Sequence, residues 1–233
     1  MNRSPLVLIP GLLCDARLWQ SQVENLADIA DIWIADHTRS GTMAGVARDV
    51  LADAPFASFA LAGLSMGGYI ALEIMRQAPQ RVAKLALLDT AAGAELPQQT
   101  QRRMDFIAWA GRGQFARVTE SLLPLLVHPA RLAEGALTGT IESMADNIGK
   151  DAFVRQQHAI MSRTDSLTLL AAIACPTLVL CGRQDALTPP ARHEEISAGI
   201  KGARLEIIED CGHLSTLEKP VEVNTALRRW LSV

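Results

Sequence analysis

Six short apolar runs, Leu6–Ile9, Ile32–Ala35, Phe59–Ala62, Leu85–Leu88, Thr177–Cys181 and Leu205–Ile208, recur along the chain. Each is continuous rather than alternating, rich in branched aliphatic residues and bounded by Pro, Gly or Asp. That is the pattern of strands buried on both faces. Helical spacing fills several intervals. Ile70, Ile74 and Ala78 share one stripe that Pro79 ends, and Val223, Leu227, Trp230 and Leu231 follow Pro220 at i, i+4, i+7 and i+8. Strands alternating with helices predict an α/β fold, a mostly parallel sheet of about six strands with helices on both faces.

One interval breaks the rhythm. A crossover between parallel strands needs about a dozen residues, and Asp89 to Pro176 is several times longer. It carries its own apolar content, including Phe106, Trp109, Phe115, Val118, Leu122, Leu123, Phe153 and Ile160, divided by Gly93, Gly111-Arg112-Gly113, His128-Pro129 and Gly149. The expectation is a helical cap over residues 94–165, inserted after the fourth strand into a core formed by residues 1–93 and 166–233.

Composition excludes more than it selects. With 233 residues, 49% hydrophobic and 20% charged, the chain fits one soluble domain with a sizeable core. A net charge of −3 with scattered arginines gives no basis for nucleic acid or an anionic membrane as partner. The apolar run Leu6–Ile9 stops at Pro10-Gly11, short of a secretory core of roughly 7–15 residues. No stretch approaches the ~20 apolar residues of a membrane span. A cytoplasmic location is expected. The four cysteines (Cys14, Cys175, Cys181, Cys211) contain no CxxC pair, so neither a zinc site nor a disulfide framework is expected. No metal or cofactor is called for; the expected partner is a small-molecule substrate, and the sequence carries no signal for an oligomeric state.

The chemistry concentrates at Gly63-Leu64-Ser65-Met66-Gly67-Gly68, directly after the third run and at the start of a helical stripe. A G-x-S-x-G between strand and helix is a nucleophile elbow. The turn is so tight that positions two before and two after the nucleophile must lack side chains, which Gly63 and Gly67 satisfy. Ser65 is the candidate nucleophile. Of five histidines, His213 follows the last strand in Asp210-Cys211-Gly212-His213, where ligand-facing loops emerge, and is the candidate base. His37 precedes the serine, His128 and His158 fall in the cap, and His193, beside Glu194 and Glu195, is expected at the surface. For the orienting acid, Asp185, after the Gly182 turn, is preferred over Asp89. The oxyanion donors nominated are the backbone N–H groups of Met66, after the nucleophile, and Leu12, in the Pro10-Gly11-Leu12 loop.

Together these residues resemble the α/β-hydrolase superfamily: the elbow at 63–67, Gly11, Gly182 to Asp185, Gly212-His213 and the following Glu218-Lys219-Pro220. The resemblance spans nearly the whole chain except the cap. Two departures stand out. The superfamily usually opens with an antiparallel strand pair, whereas the first run here begins at Leu6, and its usual oxyanion His-Gly is Pro10-Gly11. A serine rather than an aspartate nucleophile argues against epoxide and carbon–halogen cleavage. Gly-Leu-Ser-Met-Gly-Gly is similar to small-molecule esterases and 3-oxoadipate enol-lactonases. Length and cap are also similar to biotin-pathway methyl esterases and to the menaquinone-pathway synthases that eliminate pyruvate. Those synthases carry an arginine four residues after the serine, where this chain has Tyr69. The resemblance implies a serine hydrolase of the carboxylesterase type, cleaving a small ester or lactone through an acyl-enzyme. Thioesterase activity, carbon–carbon bond hydrolysis or lysis, and a low-turnover receptor or scaffold stay open. For substrate binding, Tyr69 and the cap arginines Arg155 and Arg163 are nominated, the latter two as partners for a substrate carboxylate. The remaining cap arginines, Arg102 and Arg103 among them, are expected in solvent.

Overall fold

The computed structural model describes residues 3–232; residues 1, 2 and 233, at the two ends of the expected core, lie outside the described residues. Six parallel strands form one sheet: β1 (Ser4–Ile9), β2 (Ala30–Ile34), β3 (Phe59–Leu64), β4 (Val82–Leu88), β5 (Thr177–Gly182) and β6 (Arg204–Ile208). Their spatial order is β2-β1-β3-β4-β5-β6. The chain starts in the interior, runs out to one edge, crosses back over β1 and then proceeds to the other. That reversal puts a topological switch point beside β1 and β3, whose register runs from Leu6↔Ala60 to Ile9↔Gly63.

Side-chain alternation divides the interior in two. Val7, Ile9, Leu61 and Val179 point to one face and pack with Val46 and Val50 of α2 (Met43–Asp53), Ile70 and Ile74 of α3 (Met66–Gln77) and Ile196 of α8 (Pro190–Gly199). Leu6, Leu8, Leu178 and Leu180 point to the other, against Leu26 of α1 (Gln20–Leu26) and Val223, Leu227 and Leu231 of α10 (Pro220–Leu231). Each fully buried aliphatic side chain contributes about 1.5–3 kcal/mol from burial. The expectation of two-sided burial fails at Ile32–Ala35 and Leu205–Ile208. β2 and β6 are the sheet edges, with one neighbour each, and most of their residues are only half buried.

The long interval between β4 and β5 is helical. It contains α4 (Pro97–Gly111), α5 (Phe115–Leu126), α6 (Gly135–Met161) and the short α7 (Leu167–Leu170). Gly149, at φ 74 and ψ 166, breaks α6 into two segments. A third apolar cluster, with Phe106, Ala110, Val118, Leu122, Ala145 and Phe153, holds these helices together and includes Leu13 from the loop after β1. The insert is therefore fastened to the strand ends that carry the chemistry. Beyond β6 a single turn, α9 (Ser215–Glu218), leads into α10. No helix among the described residues is long and apolar enough to cross a membrane.

Candidate active site

The turn after β3 is as tight as its glycines require. A Cβ on Gly63 would lie 2.2 Å from the Gly67 carbonyl oxygen, and one on Gly67 would lie 2.2 Å from that of Ile9. Both obstacles are backbone, which has no room to yield. Ser65 sits at φ 56 and ψ −115, a strained conformation for a residue with a side chain. Neighbours hold it there. Its N–H donates to Leu88 O (2.9 Å), and its carbonyl accepts from Gly68 N–H (2.9 Å) and Thr90 Oγ1 (2.8 Å).

From that turn the Ser65 hydroxyl meets His213, with Oγ 2.8 Å from Nε2. The opposite ring nitrogen, Nδ1, is 2.8 Å from Asp185 Oδ2. Asp185 is fixed in turn by the N–H groups of Leu187 (2.8 Å) and Thr188 (2.9 Å) and by Thr188 Oγ1 (2.7 Å). Burial pushes the Asp185 carboxyl up, but the His213 charge and these hydrogen bonds outweigh it, and the net shift is below the ordinary carboxylate range. For His213 burial favours the neutral ring, yet Asp185, by its charge and its hydrogen bond, outweighs it, and the imidazole lies above its ordinary value.

The rival acid, Asp89, is buried beside this group but does not touch the ring. It accepts from Gly182 N–H (3.1 Å) and Ser215 Oγ. Burial, then the neighbouring Asp185 charge, pushes it well above the usual carboxylate range. His193, expected at the surface, is fully buried. The polar run around it on α8 hides an inward face, and its Nε2 accepts the Thr90 N–H at 2.8 Å. Burial pushes it down to about 4. It therefore supports, through Thr90, the loop that holds the serine carbonyl.

The N–H groups of Leu12 and Met66 have no acceptor among the described residues, and Met66 opens α3, where the helix dipole favours negative charge. Two residues to which the sequence reading gave no role shape the Leu12 loop. Buried His37 donates from Nε2 to Gly11 O (2.9 Å), and buried Gln156 accepts the Leu13 N–H (3.2 Å). A third, Glu218, fixes the histidine loop: its oxygens accept from Gly212 N–H (3.0 Å) and from His128 N–H (2.8 Å) in the insert. Leu126 O, at the end of α5, accepts from both His213 and Leu214 N–H (3.1 Å each). The Glu218-Lys219-Pro220 tail was the one visible signal for any of these three.

A cavity opens over Ser65 and His213, lined by Leu12, Tyr69, Leu122, Leu126, Ile141, Leu187 and Leu214 and by five polar residues of the insert: Gln99, Arg102, Arg103, Thr119 and Gln157. Tyr69 is among the lining residues. The two nominated arginines are not. Arg155 is turned away and donates to Thr38 O (2.7 Å). Arg163 is buried in an ion pair with Glu95 and lies 4.4 Å from the Tyr69 ring centroid, behind the cavity wall. Arg102, exposed as expected, and the largely buried Arg103 side chain both line the cavity. No group of His, Cys, Asp and Glu suited to a metal ion occurs among the described residues.

A family model described as alpha/beta hydrolase fold matches residues 4–220. A Klebsiella pneumoniae protein named as a carbamate hydrolase is 27% identical over 97% of this chain and 91% of its own length. Among solved structures, a thermophilic esterase from Thermogutta terrifontis, with malate bound, superposes at TM-score 0.90 with 29% identity, covering 98% of this chain and 89% of that one. The enol-lactonase from Burkholderia xenovorans LB400 superposes at TM-score 0.89, with 23% identity over 100% of this chain and 93% of that one, a likeness of fold.

Proposed function

The chain belongs to the alpha/beta hydrolase family, and from that premise we propose that it is a serine hydrolase cleaving a small carboxylic ester or lactone through an acyl-enzyme on Ser65. One observation carries the reading: an unbroken chain of contacts from Ser65 Oγ through His213 to Asp185, 2.8 Å at each link, beneath a mainly apolar cavity. The cavity belongs to the core and to a cap formed by residues 94–165. The apolar part of the lining suits an acyl group. The likeness to the Thermogutta esterase supports the same class, and four free thiols suit a reducing, cytoplasmic setting.

The steps follow from the contacts. Ser65 Oγ attacks the ester carbonyl as its proton passes to His213 Nε2, and Asp185 stabilises the imidazolium while holding its tautomer. The carbonyl oxygen, now an anion, receives the unpartnered N–H groups of Leu12 and Met66; one such donor is worth about 2.7–4 kcal/mol of barrier. As the tetrahedral centre collapses, the C–O bond breaks and the alkoxide takes the proton from His213. Water then repeats the sequence on the acyl-enzyme, releasing the acid and restoring Ser65.

The test has two arms. A fluorophosphonate should label Ser65 stoichiometrically in the native chain, and Ser65→Ala should abolish turnover of esters and lactones while leaving the fold intact. Product analysis across esters, lactones, thioesters, carbamates and carbon–carbon substrates assigns the bond cleaved. Hydrolysis within about tenfold of wild type in clean Ser65→Ala protein excludes the serine mechanism.

A further inference from the structure

One face of α4 turns toward the cavity above Ser65. Gln99, Arg102, Arg103 and Phe106, spaced i, i+3, i+4 and i+7, all line it. A helix that merely covered an apolar acyl site would present an apolar stripe there. Only Phe106 fits that description.

The charges near this face do not balance. Glu95 accepts from Arg103 Nε at 2.6 Å and is also paired with Arg163, so one carboxylate is shared between two guanidinium groups. The Arg102 side chain, exposed at the cavity, has no ion pair or hydrogen bond among the described residues, and the cations exceed the carboxylate they touch. The hydrogen-bond donors do not balance either. Gln157, fully buried, accepts from Arg103 Nη1 through Oε1 at 2.9 Å, which orients its amide. The amide nitrogen, Nε2, is then left without an acceptor among the described residues. A buried donor left unmet costs about 1–3 kcal/mol. The rest of the lining is mainly apolar, with Leu122, Leu126, Ile141 and Leu214 beside Thr119.

Surplus positive charge, an orphaned amide donor and a mainly apolar remainder of the lining, all in the cavity that holds the serine, describe a site for one anionic end of an otherwise apolar molecule. We propose that Arg102, Arg103 and Gln157 form a carboxylate subsite, so that the substrate is an ester or lactone bearing a second, free carboxylate away from the scissile carbonyl. A planar pair of oxygens matches both the guanidinium fork and the Gln157 amide. The assignment rests on the ester-cleaving reading of the same cavity.

The experiment compares kcat/KM for monomethyl glutarate with that for methyl valerate, a near-isosteric neutral ester. The wild-type chain favours the charged ester. The charged-to-neutral ratio falls by at least about tenfold in Arg102→Gln and in Gln157→Glu, as expected when a charge-assisted contact is lost or opposed. It is unchanged in Arg155→Gln, whose side chain faces away. Changes smaller than about twofold in both cavity variants overturn the subsite and leave ester cleavage standing. Where neither ester is turned over, glutarate is titrated calorimetrically into Ser65→Ala. Binding that Arg102→Gln removes supports the subsite although the ester reading has failed; absence of glutarate binding overturns the subsite too.

Discussion

Asp185 and Asp89 lie beyond the ends of neighbouring strands behind one imidazole, and only Asp185 bonds to it, at 2.8 Å from Nδ1. Burial and the Asp185 charge push Asp89 toward its neutral form, whereas His213 holds Asp185 charged. Asp185→Asn is therefore expected to lower kcat by about four orders of magnitude, through a wrong imidazole tautomer. Asp89→Asn, replacing a carboxyl already driven toward neutrality, should cost less than about tenfold. Steady-state kinetics of the two purified variants decide; the opposite ranking moves the acid to β4.

The pH profile has a fixed sign. His213 must be neutral to accept the Ser65 proton, and Asp185 raises it above the ordinary histidine value. Activity is thus present at high pH and lost as pH falls through that raised value, so the acid limb of kcat/KM should lie above about pH 6.5. An acid limb below about pH 6 contradicts the assignment.

His193 gives a stability effect of its own. Its folded-state value, pushed down to about 4 by burial, lies below the ordinary 6.5. The unfolded chain therefore binds the extra proton first, and stability present above the unfolded value is lost as pH falls toward the folded one. Between about pH 7.5 and pH 5 the loss from this residue is roughly 2 kcal/mol. In His193→Gln, whose amide oxygen can still accept from Thr90 N–H, urea unfolding should show a shallower decline. Parallel declines in both proteins contradict the linkage.

Two inactive variants separate strain from chemistry. At φ 56 glycine relaxes what alanine retains. Ser65→Gly should therefore melt above Ser65→Ala, by a margin on the order of 1 kcal/mol after the entropic penalty of glycine. Equal or reversed melting temperatures mean that the elbow stores no strain at this residue.

The sheet was legible because its strands are unbroken aliphatic runs, and the elbow because Gly63 and Gly67 leave no alternative to a tight turn. What stayed hidden depended on the direction a polar residue faces. His193 shares α8 with exposed charges, and period alone does not say which polar residue turns inward. The same ambiguity led to Arg155 and Arg163, whereas Arg102 and Arg103 are the arginines that line the cavity. The spacing of Gln99, Arg102, Arg103 and Phe106 was visible, but its mixed polarity carries no sign of a cavity. His37 and Gln156 act through backbone atoms of a distant loop, a role that leaves no local pattern.

The serine and its histidine are 148 positions apart, and the ring is tied to the end of α5 through Leu126 O. No fragment ending before β6 can assemble this pair, and a chain with an undocked insert would lose the backbone hydrogen bonds that steady it. Serine labelling thus counts chains in which the third and sixth strands already stand in one sheet. A fluorophosphonate added during refolding would report the final step of assembly, and its burst amplitude would measure the mature fraction of any preparation.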